Sequence, residues 1–408
     1  MACPSLSVVA HNLPGVRFVH TSDWHLGRSF HGAGLLGAQA RYLDHLVELV
    51  RAERVDAVLV AGDVYDRALP GPDTVALLDD ALVRLQAAGV QVIVSSGNHD
   101  SATRLGFGAR VMEPSGVHIR TTLASVGVPV TVGDTHVYPI PFLEPSLVAE
   151  ELGCEETTHA AVLRRVMERI RIDAARRPGR SVAMAHAFVT GATTSDSERD
   201  ISVGGMGAVP VEVFDGVDHV ALGHLHGAQQ PRDHVRYSGS PVAMSFSETA
   251  HVKGSWLIDL SGATASHEFV EAPVERPLRR LRGELDDLLS ADAYRDAEDA
   301  WCQVTLTDAV RPRGAMDRVR SRFPHTLQLL FDSPGSGADV RTYAERTRGR
   351  SDLDLCCDFL EHVREGVPAT DHERDVVRDG LAAAGRARRR KDDEGHVADV
   401  GRGRSGAA

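Results

Sequence analysis

Over its first hundred residues the chain alternates short apolar runs with longer stretches of helical periodicity. Residues 15–23, GVRFVHTSD, read as a buried strand. Residues 37–54 carry Leu43, Leu46, Val47 and Val50 on one helical face. VDAVLVAGD is a second apolar run and ends at Asp63. Residues 72–88 then read as a helix, with Pro72 in its first turn and Gly89 as its stop. VQVIVSSGNHD is a third strand that closes on Asn98, His99 and Asp100. Strands alternating with helices predict an α/β architecture. In such sheets ligands bind beyond the carboxyl ends of the strands, which is where the polar clusters fall.

Further apolar runs follow at less regular spacing: HVYPIPF, SVAMAHAFV, HVALGHLH, VRYSGSPVAM and KGSWLIDL, with a helix over 155–176 between them. The arginine-rich stretch of that helix, RRVMERIRIDAARR, reads as a solvated face rather than a nucleic-acid contact. Two prolines in VEAPVERP break the pattern. Beyond them PLRRLRGEL, a helix over 285–297, WCQVTLTD, a helix around 316–323 and TLQLLFD predict a small β-α-β-α-β domain. Helices over 354–366 and 371–385 are amphipathic but have too little apolar surface to fold alone. The expected division is therefore a disordered extension at 1–15, a main domain at 16–272 and the small domain at 273–335. A linker at 336–353, C-terminal helices at 354–385 and a disordered tail at 386–408 complete it.

Composition narrows the class. A chain of 408 residues has room for two or three domains, and 42% hydrophobic with 25% charged residues is the balance of a globular protein. No apolar run approaches the ~20 residues that span a bilayer, so no membrane association is expected. No basic segment precedes the short apolar patch near the N-terminus, which argues against a signal peptide. Five cysteines without a C-x-x-C pair argue against a disulfide framework or a zinc ribbon, and the expected location is cytoplasmic. The net charge of −12 excludes a broadly basic nucleic-acid surface; phosphate binding has to be local, or supplied by a metal or a partner. Only two of the 45 basic residues are lysines, Lys253 and Lys391, a bias that a GC-rich genome explains.

VALGHLHGA raises the chemical question. His224 and His226 flank Leu225 just beyond a strand and so point the same way, as either a metal site or a polar turn. Four more clusters stand at or beyond strand ends: Asp23 and His25 in SDWHLG, Asp63 and Asp66 in GDVYDR, Asn98 to Asp100 in GNHD, and His186 in MAHAF. Each alone is an ordinary strand terminus or core histidine; all five in this order make chance a poor explanation. Two carboxylates, an amide oxygen and four imidazoles without a thiolate suffice for two divalent cations with open positions. Such a set suits manganese or iron rather than structural zinc. Two dications carry four positive charges and Asp23 and Asp63 remove two; the remainder suits an activated water and a phosphodiester.

The D-x-H, GD-x-x-D, GNHD, H and GHxH series resembles the calcineurin-like metallophosphoesterases. HTSDWHLGRSFHG, GDVYDRALP and GNHDSATRL more specifically resemble the SbcD family of bacterial DNA repair and recombination nucleases, from about residue 16 to 384. The resemblance implies a β-sandwich flanked by helices, a capping domain that orients DNA, and C-terminal helices that bind a partner. It implies one metal on Asp23, His25 and His226, another on Asn98, His186 and His224, and Asp63 bridging both. The metals would be Mn2+, with Mg2+ or Fe2+ as alternatives. His99 would stand too far away to ligate and would serve as general acid toward the leaving 3′ oxygen. Asp66 would orient substrate or an imidazole, Asp100 would hold its loop, and Arg28, Arg67 and Arg104 would neighbour phosphate. The helices at 37–54 and 72–88 would help form a homodimer, and the C-terminal helices would dock on an SbcC-type ABC ATPase with a long coiled coil. No G-x-x-x-x-G-K-[ST] occurs here, in keeping with ATP binding on that partner.

The implied activity is 3′ to 5′ exonuclease on double-stranded ends and endonuclease on single strands or hairpins, in a cytoplasmic, nucleoid-associated complex. Two other readings stand beside it. A small-molecule phosphodiesterase of the same superfamily would be compact and end near residue 271, but over a hundred residues follow. A catalytically inactive scaffold would lack ligands, whereas every expected one is present.

Overall fold

The computed structural model describes residues 15–198, 207–262, 264–332, 352–364 and 368–381. The expected extension up to residue 14, nearly all of the expected linker and the tail at 386–408 lie outside the described residues. The chain forms two compact units, 1–334 and 335–408.

Two six-stranded sheets form the larger part of the first unit. One is ordered Ser266–Glu271, Gly254–Asp259, Arg17–Thr21, Ala57–Ala61, Gln91–Ser95, Val117–Arg120. The other is ordered Gln229–Arg232, Val235–Tyr237, His219–Gly223, Arg180–His186, Thr135–Pro139, Val130–Val132. The four central strands of the second sheet, and four adjacent strands of the first, run parallel. Alternation along the strands explains the stacking. Phe18, Leu59 and Ile93 face inward and meet Val137, Met184 and Ala221 of the second sheet. Val19, Val58 and Val92 face outward against Leu43, Leu46, Leu78 and Leu85 of helices Leu36–Ala52 and Pro72–Ala87. On the opposite side Ala183, Val220 and Leu222 pack on Leu163, Val166 and Ile170 of helix His159–Ala174. Because both faces of each sheet are covered, the central strands are apolar throughout, which is why they read as continuous runs.

Strands Leu278–Gly283, Trp301–Leu306 and Thr326–Phe331 make a separate parallel sheet with its own core around Leu285, Val304, Val319 and Phe323. This is the expected β-α-β-α-β element. A second cluster joins it to the sandwich: Leu278 and Trp301 pack with Phe30, Leu35, Met244 and Phe246. In the second unit, helix Asp352–Val363 begins two residues inside the expected linker, and residues 371–381 are helical.

Two expectations needed revision. VRYSGSPVAM is a strand only over Val235–Tyr237, because Gly239 turns to a φ of 75° and the chain peels away to line the site. The expected helix at 285–297 is an α-helix over Leu285–Ser290 and a 3-10 turn over Asp292–Ala297, separated by extended Ala291. Pattern reading also missed helix Pro145–Leu152 and all four edge strands of the sandwich. Those edges carry a diluted apolar signal, since one side faces solvent or loops.

Candidate metal centre

Eight of the ten residues singled out from the motifs meet where the two sheets present their strand ends. Asp23 and His25 follow strand Arg17–Thr21, Asp63 follows Ala57–Ala61, and Asn98 and His99 follow Gln91–Ser95. His186 ends its strand, while His224 and His226 follow His219–Gly223. Four of the eight have positive φ: Asp23 at 53°, His25 at 43°, Asp63 at 49° and His224 at 103°. Non-glycine residues in this region cost of order 1–3 kcal/mol each and persist only where surroundings hold them. The hold is visible. Asp23 N–H donates to the Gly62 carbonyl at 3.1 Å and His25 N–H to the Asp63 carbonyl at 3.0 Å. Gln39 donates to the carbonyls of Trp24 and His25. Glycine at 62 is required twice over, by its φ of 85° and because a Cβ would lie 2.4 Å from His186 Nδ1.

Ligand-type atoms converge in three compact groups: Asp23, His25 and His226; His25, Asp63 and His99; and Asp23, Asp63 and His186. His25 Nε2 lies 3.1 Å from His226 Nε2 and 3.5 Å from Asp63 Oδ2. His186 Nε2 lies 2.9 Å from Asn98 Oδ1 and 3.4 Å from Asp63 Oδ2, and its Nδ1 donates to the Ala61 carbonyl. The His224 ring packs edge-on to that of His186, and its backbone N–H donates to Asp23. His99 lies in the same cluster, beside His25 and Asp63. Its Nδ1 donates to the Asp66 carbonyl at 2.8 Å, which turns Nε2 inward to 3.9 Å from Asp63 Oδ2.

The electrostatics suit cations. Burial pushes the Asp63 carboxyl up, but His186, His25 and His99 outweigh it and hold the group well below its ordinary value. Burial raises Asp23 to about 6 against the pull of His186 and His226. Burial holds the His25 imidazole well below its ordinary value and brings His224 down to about 3, so both rings keep lone pairs for a ligand. Among the described residues the buried Asn98 Nδ2 and His25 Nδ1 have no hydrogen-bond partner. Two imidazole nitrogens facing each other among carboxylates are satisfied by a shared cation, and the donor set fits divalent metals.

Other expected residues fall around this centre. Asp66 lies 3.6 Å from His25 Nδ1 and pairs with Arg28 at 3.3 Å, and Arg28 also donates to the Ser197 carbonyl. Asp100 accepts from the N–H groups of Val64, Tyr65 and Gly97, tying the Asp63 and Asn98 loops together. Arg67 is exposed and 3.6 Å from Asp66; Arg104 donates to the Ala68 carbonyl. Pattern reading missed Ser197, Glu198, Glu248 and Lys253, which surround His226. Only Lys253, a rare lysine in an arginine-rich chain, carried a signal.

The chain belongs to the calcineurin-like phosphoesterase family, whose model matches residues 16–228, just over half of it. It is a metallophosphoesterase, a metal-dependent phosphoester hydrolase. A second model, for the SbcD C-terminal domain and described as a type 5 capsule protein repressor C-terminal domain, matches residues 274–364. The two in series are those of an SbcD-type metallophosphoesterase. Among solved structures, a dimetal phosphatase from Danio rerio is 14% identical at a TM-score of 0.41, covering 64% of this chain and 98% of that one. GAP50, the anchor in the inner membrane complex of Plasmodium, is 12% identical at a TM-score of 0.37, covering 79% and 98%. Among the described residues no helix is long and apolar enough to cross a membrane.

Proposed function

We propose that this chain is the nuclease subunit of an SbcCD-type DNA repair complex. It would hydrolyse DNA phosphodiesters 3′ to 5′ from double-stranded ends and cut single strands and hairpins endonucleolytically. The observation that carries the reading is the pair of acid–histidine groups around Asp23 and Asp63, joined to a second domain of the SbcD C-terminal type. Asp23, His25 and His226 would hold one ion and Asn98, His186 and His224 the other, with Asp63 shared. Two divalent ions, manganese foremost, supply Lewis-acid charge and activate water at neutral pH.

The chain's own residues do the rest. Asp66 fixes the His99 ring through its carbonyl, so that Nε2 can deliver a proton to the departing 3′ oxygen. Asp100 keeps the loops of Asp63 and Asn98 in register. Arg28, held between Asp66 and the Ser197 carbonyl, offers a fixed positive charge at the rim for phosphate. The capping sheet would orient DNA over the site, and two copies would form a homodimer. On the helix Asp352–Val363, Phe359 is 65% exposed and Leu355 half-buried, which supports docking on a coiled-coil ABC ATPase; the Val363 side chain lies outside the described residues.

The test is manganese-dependent release of nucleotides from linear duplex DNA, with and without the ATPase, beside cleavage of a hairpin end. Hydrolysis of small phosphodiesters with no cleavage of either DNA would overturn the reading.

A further inference from the structure

His226 is gripped from three directions by groups with no part in the reaction just described. Its N–H donates to Glu198 Oε1 at 2.7 Å and its carbonyl accepts from Lys253 Nζ at 2.8 Å. Its ring Nδ1 lies 2.6 Å from Ser197 Oγ and 3.5 Å from Glu248 Oε1. Glu248 and Lys253 form an ion pair at 2.5 Å, with side chains only 0% and 6% exposed. Glu248 also accepts from the Ser197 hydroxyl and from Met244 N–H, and Lys253 donates to Ser240 Oγ at 2.9 Å. On the far side Phe246 packs on Phe30 with ring centres 4.8 Å apart, which anchors the turn carrying Glu248.

Proton counting orients this network. Ser197 Oγ neighbours Glu248 Oε1, His226 Nδ1 and, at 2.7 Å, Ser195 Oγ, whose own proton goes to Glu198. A carboxylate only accepts and Glu248 is the shortest contact, so the single Ser197 proton is assigned to Glu248 and Ser197 Oγ is left to accept from His226. Nδ1 of His226 therefore carries the ring proton. Nε2, 3.1 Å from His25 Nε2, presents its lone pair to the centre.

We propose that the buried Glu248–Lys253 pair, acting through Ser197, is a positioning device that holds His226 in the Nδ1–H tautomer with Nε2 aimed at the metal centre. The inference rests on reading His226 as a metal ligand. Stability alone does not account for the pair, because replacing a buried ion pair with apolar groups of similar volume is often neutral or stabilising. Orientation does account for it, since partners that orient a metal-bound histidine are typically worth 10–100-fold in metal affinity. The choice of lysine fits as well. One compact ammonium directs its three protons at Glu248, Ser240 and the His226 carbonyl, whereas a planar guanidinium spreads its donors in a rigid fork. In a chain with only two lysines among 45 basic residues, one of them stands here.

The experiment measures Mn2+ binding by calorimetry on the full chain. Variants are the double substitution Glu248→Leu with Lys253→Met, the single Ser197→Ala, and the conservative Ser197→Thr. The double variant is expected to keep its melting temperature within a few degrees while one of two Mn2+ sites weakens roughly 10–100-fold. Ser197→Ala, which leaves the ion pair intact, should weaken the same site, and Ser197→Thr should retain it. Wild-type affinity in folded Ser197→Ala and in the double variant overturns the inference; if the double variant does not fold, Ser197→Ala decides alone. A wild type that binds two Mn2+ but leaves DNA uncut would overturn the nuclease reading and not this one. A wild type that binds none would overturn both.

Discussion

Replacing Gly97 with alanine should disable the metal centre while the remainder of the sandwich stays folded. A Cβ built there lies 2.1 Å from Asp63 Oδ1 and 2.3 Å from Asp63 N. The φ of Gly97 is not in the left-handed region, so space alone excludes the methyl group. Neither neighbour can retreat cheaply. Asp63 is held by His25 N–H at its carbonyl and by His99 N–H at Oδ1, and Gly97 N–H is tied to Asp100 at 2.9 Å. Ordinary carbon contacts begin near ~3.5 Å, so the GNHD loop and Asp63 must separate by roughly an ångström. Overpacking of this kind costs about 1–3 kcal/mol. A misplacement of ~1 Å at reacting groups costs on the order of 10²-fold in rate. Gly37→Ala is the control: nothing lies within 4 Å of its Cβ, and it sits in the first turn of helix Leu36–Ala52. There the smaller unfolded-state entropy should leave stability unchanged or raise it by up to about 1 kcal/mol. Thermal melts, Mn2+ titration and single-turnover cleavage of a duplex end read both variants. A Gly97→Ala protein that matches wild type in melting temperature, metal content and rate would refute the steric argument.

Three further outcomes are expected. His224→Ala should lose metal and turnover together, whereas His99→Leu should keep two metals and lose about 10²–10⁴ in rate; equal metal loss, by elemental analysis, would make His99 a ligand. Phe359→Asp should abolish copurification with a coiled-coil ATPase while sparing hydrolysis of small phosphodiesters, and an unchanged complex would remove that helix from the interface. Acid should destabilise the fold through His20. Burial, with Arg236 and His267 adding to it, lowers its pKa to about 3 against the opposing Leu222 carbonyl. A lowered folded-state pKa means the contribution is complete above about 6.5 and is lost as pH falls toward 3, at about 1.4 kcal/mol per pH unit. Urea melts between pH 7.5 and 5 should therefore fall more steeply for wild type than for His20→Leu, and equal slopes would refute the assignment.

The sequence by itself determined the central strands, the flanking helices and the residue types of the metal centre. The central strands are buried on both faces, so they appear as unbroken apolar runs, and the candidate ligands follow them because strand ends are where the backbone leaves the sheet. Asp23, Asp63, Asn98, His186 and His224 were legible for that reason. Edge strands such as Val130–Val132 and Ser266–Glu271 were not, since half-exposure mixes polar residues into a short pattern. What tertiary structure alone decided is how residues from separate strands face one another. His99 was expected as a general acid beside the metals, and the Asp66 carbonyl, 33 positions away in sequence, is what turns its Nε2 inward. Glu248 and Ser197 carried no signal in the sequence, and Lys253 only its rarity. They converge on His226 only because the turn at Phe246–Glu248 folds back beneath it, a contact that no local spacing encodes.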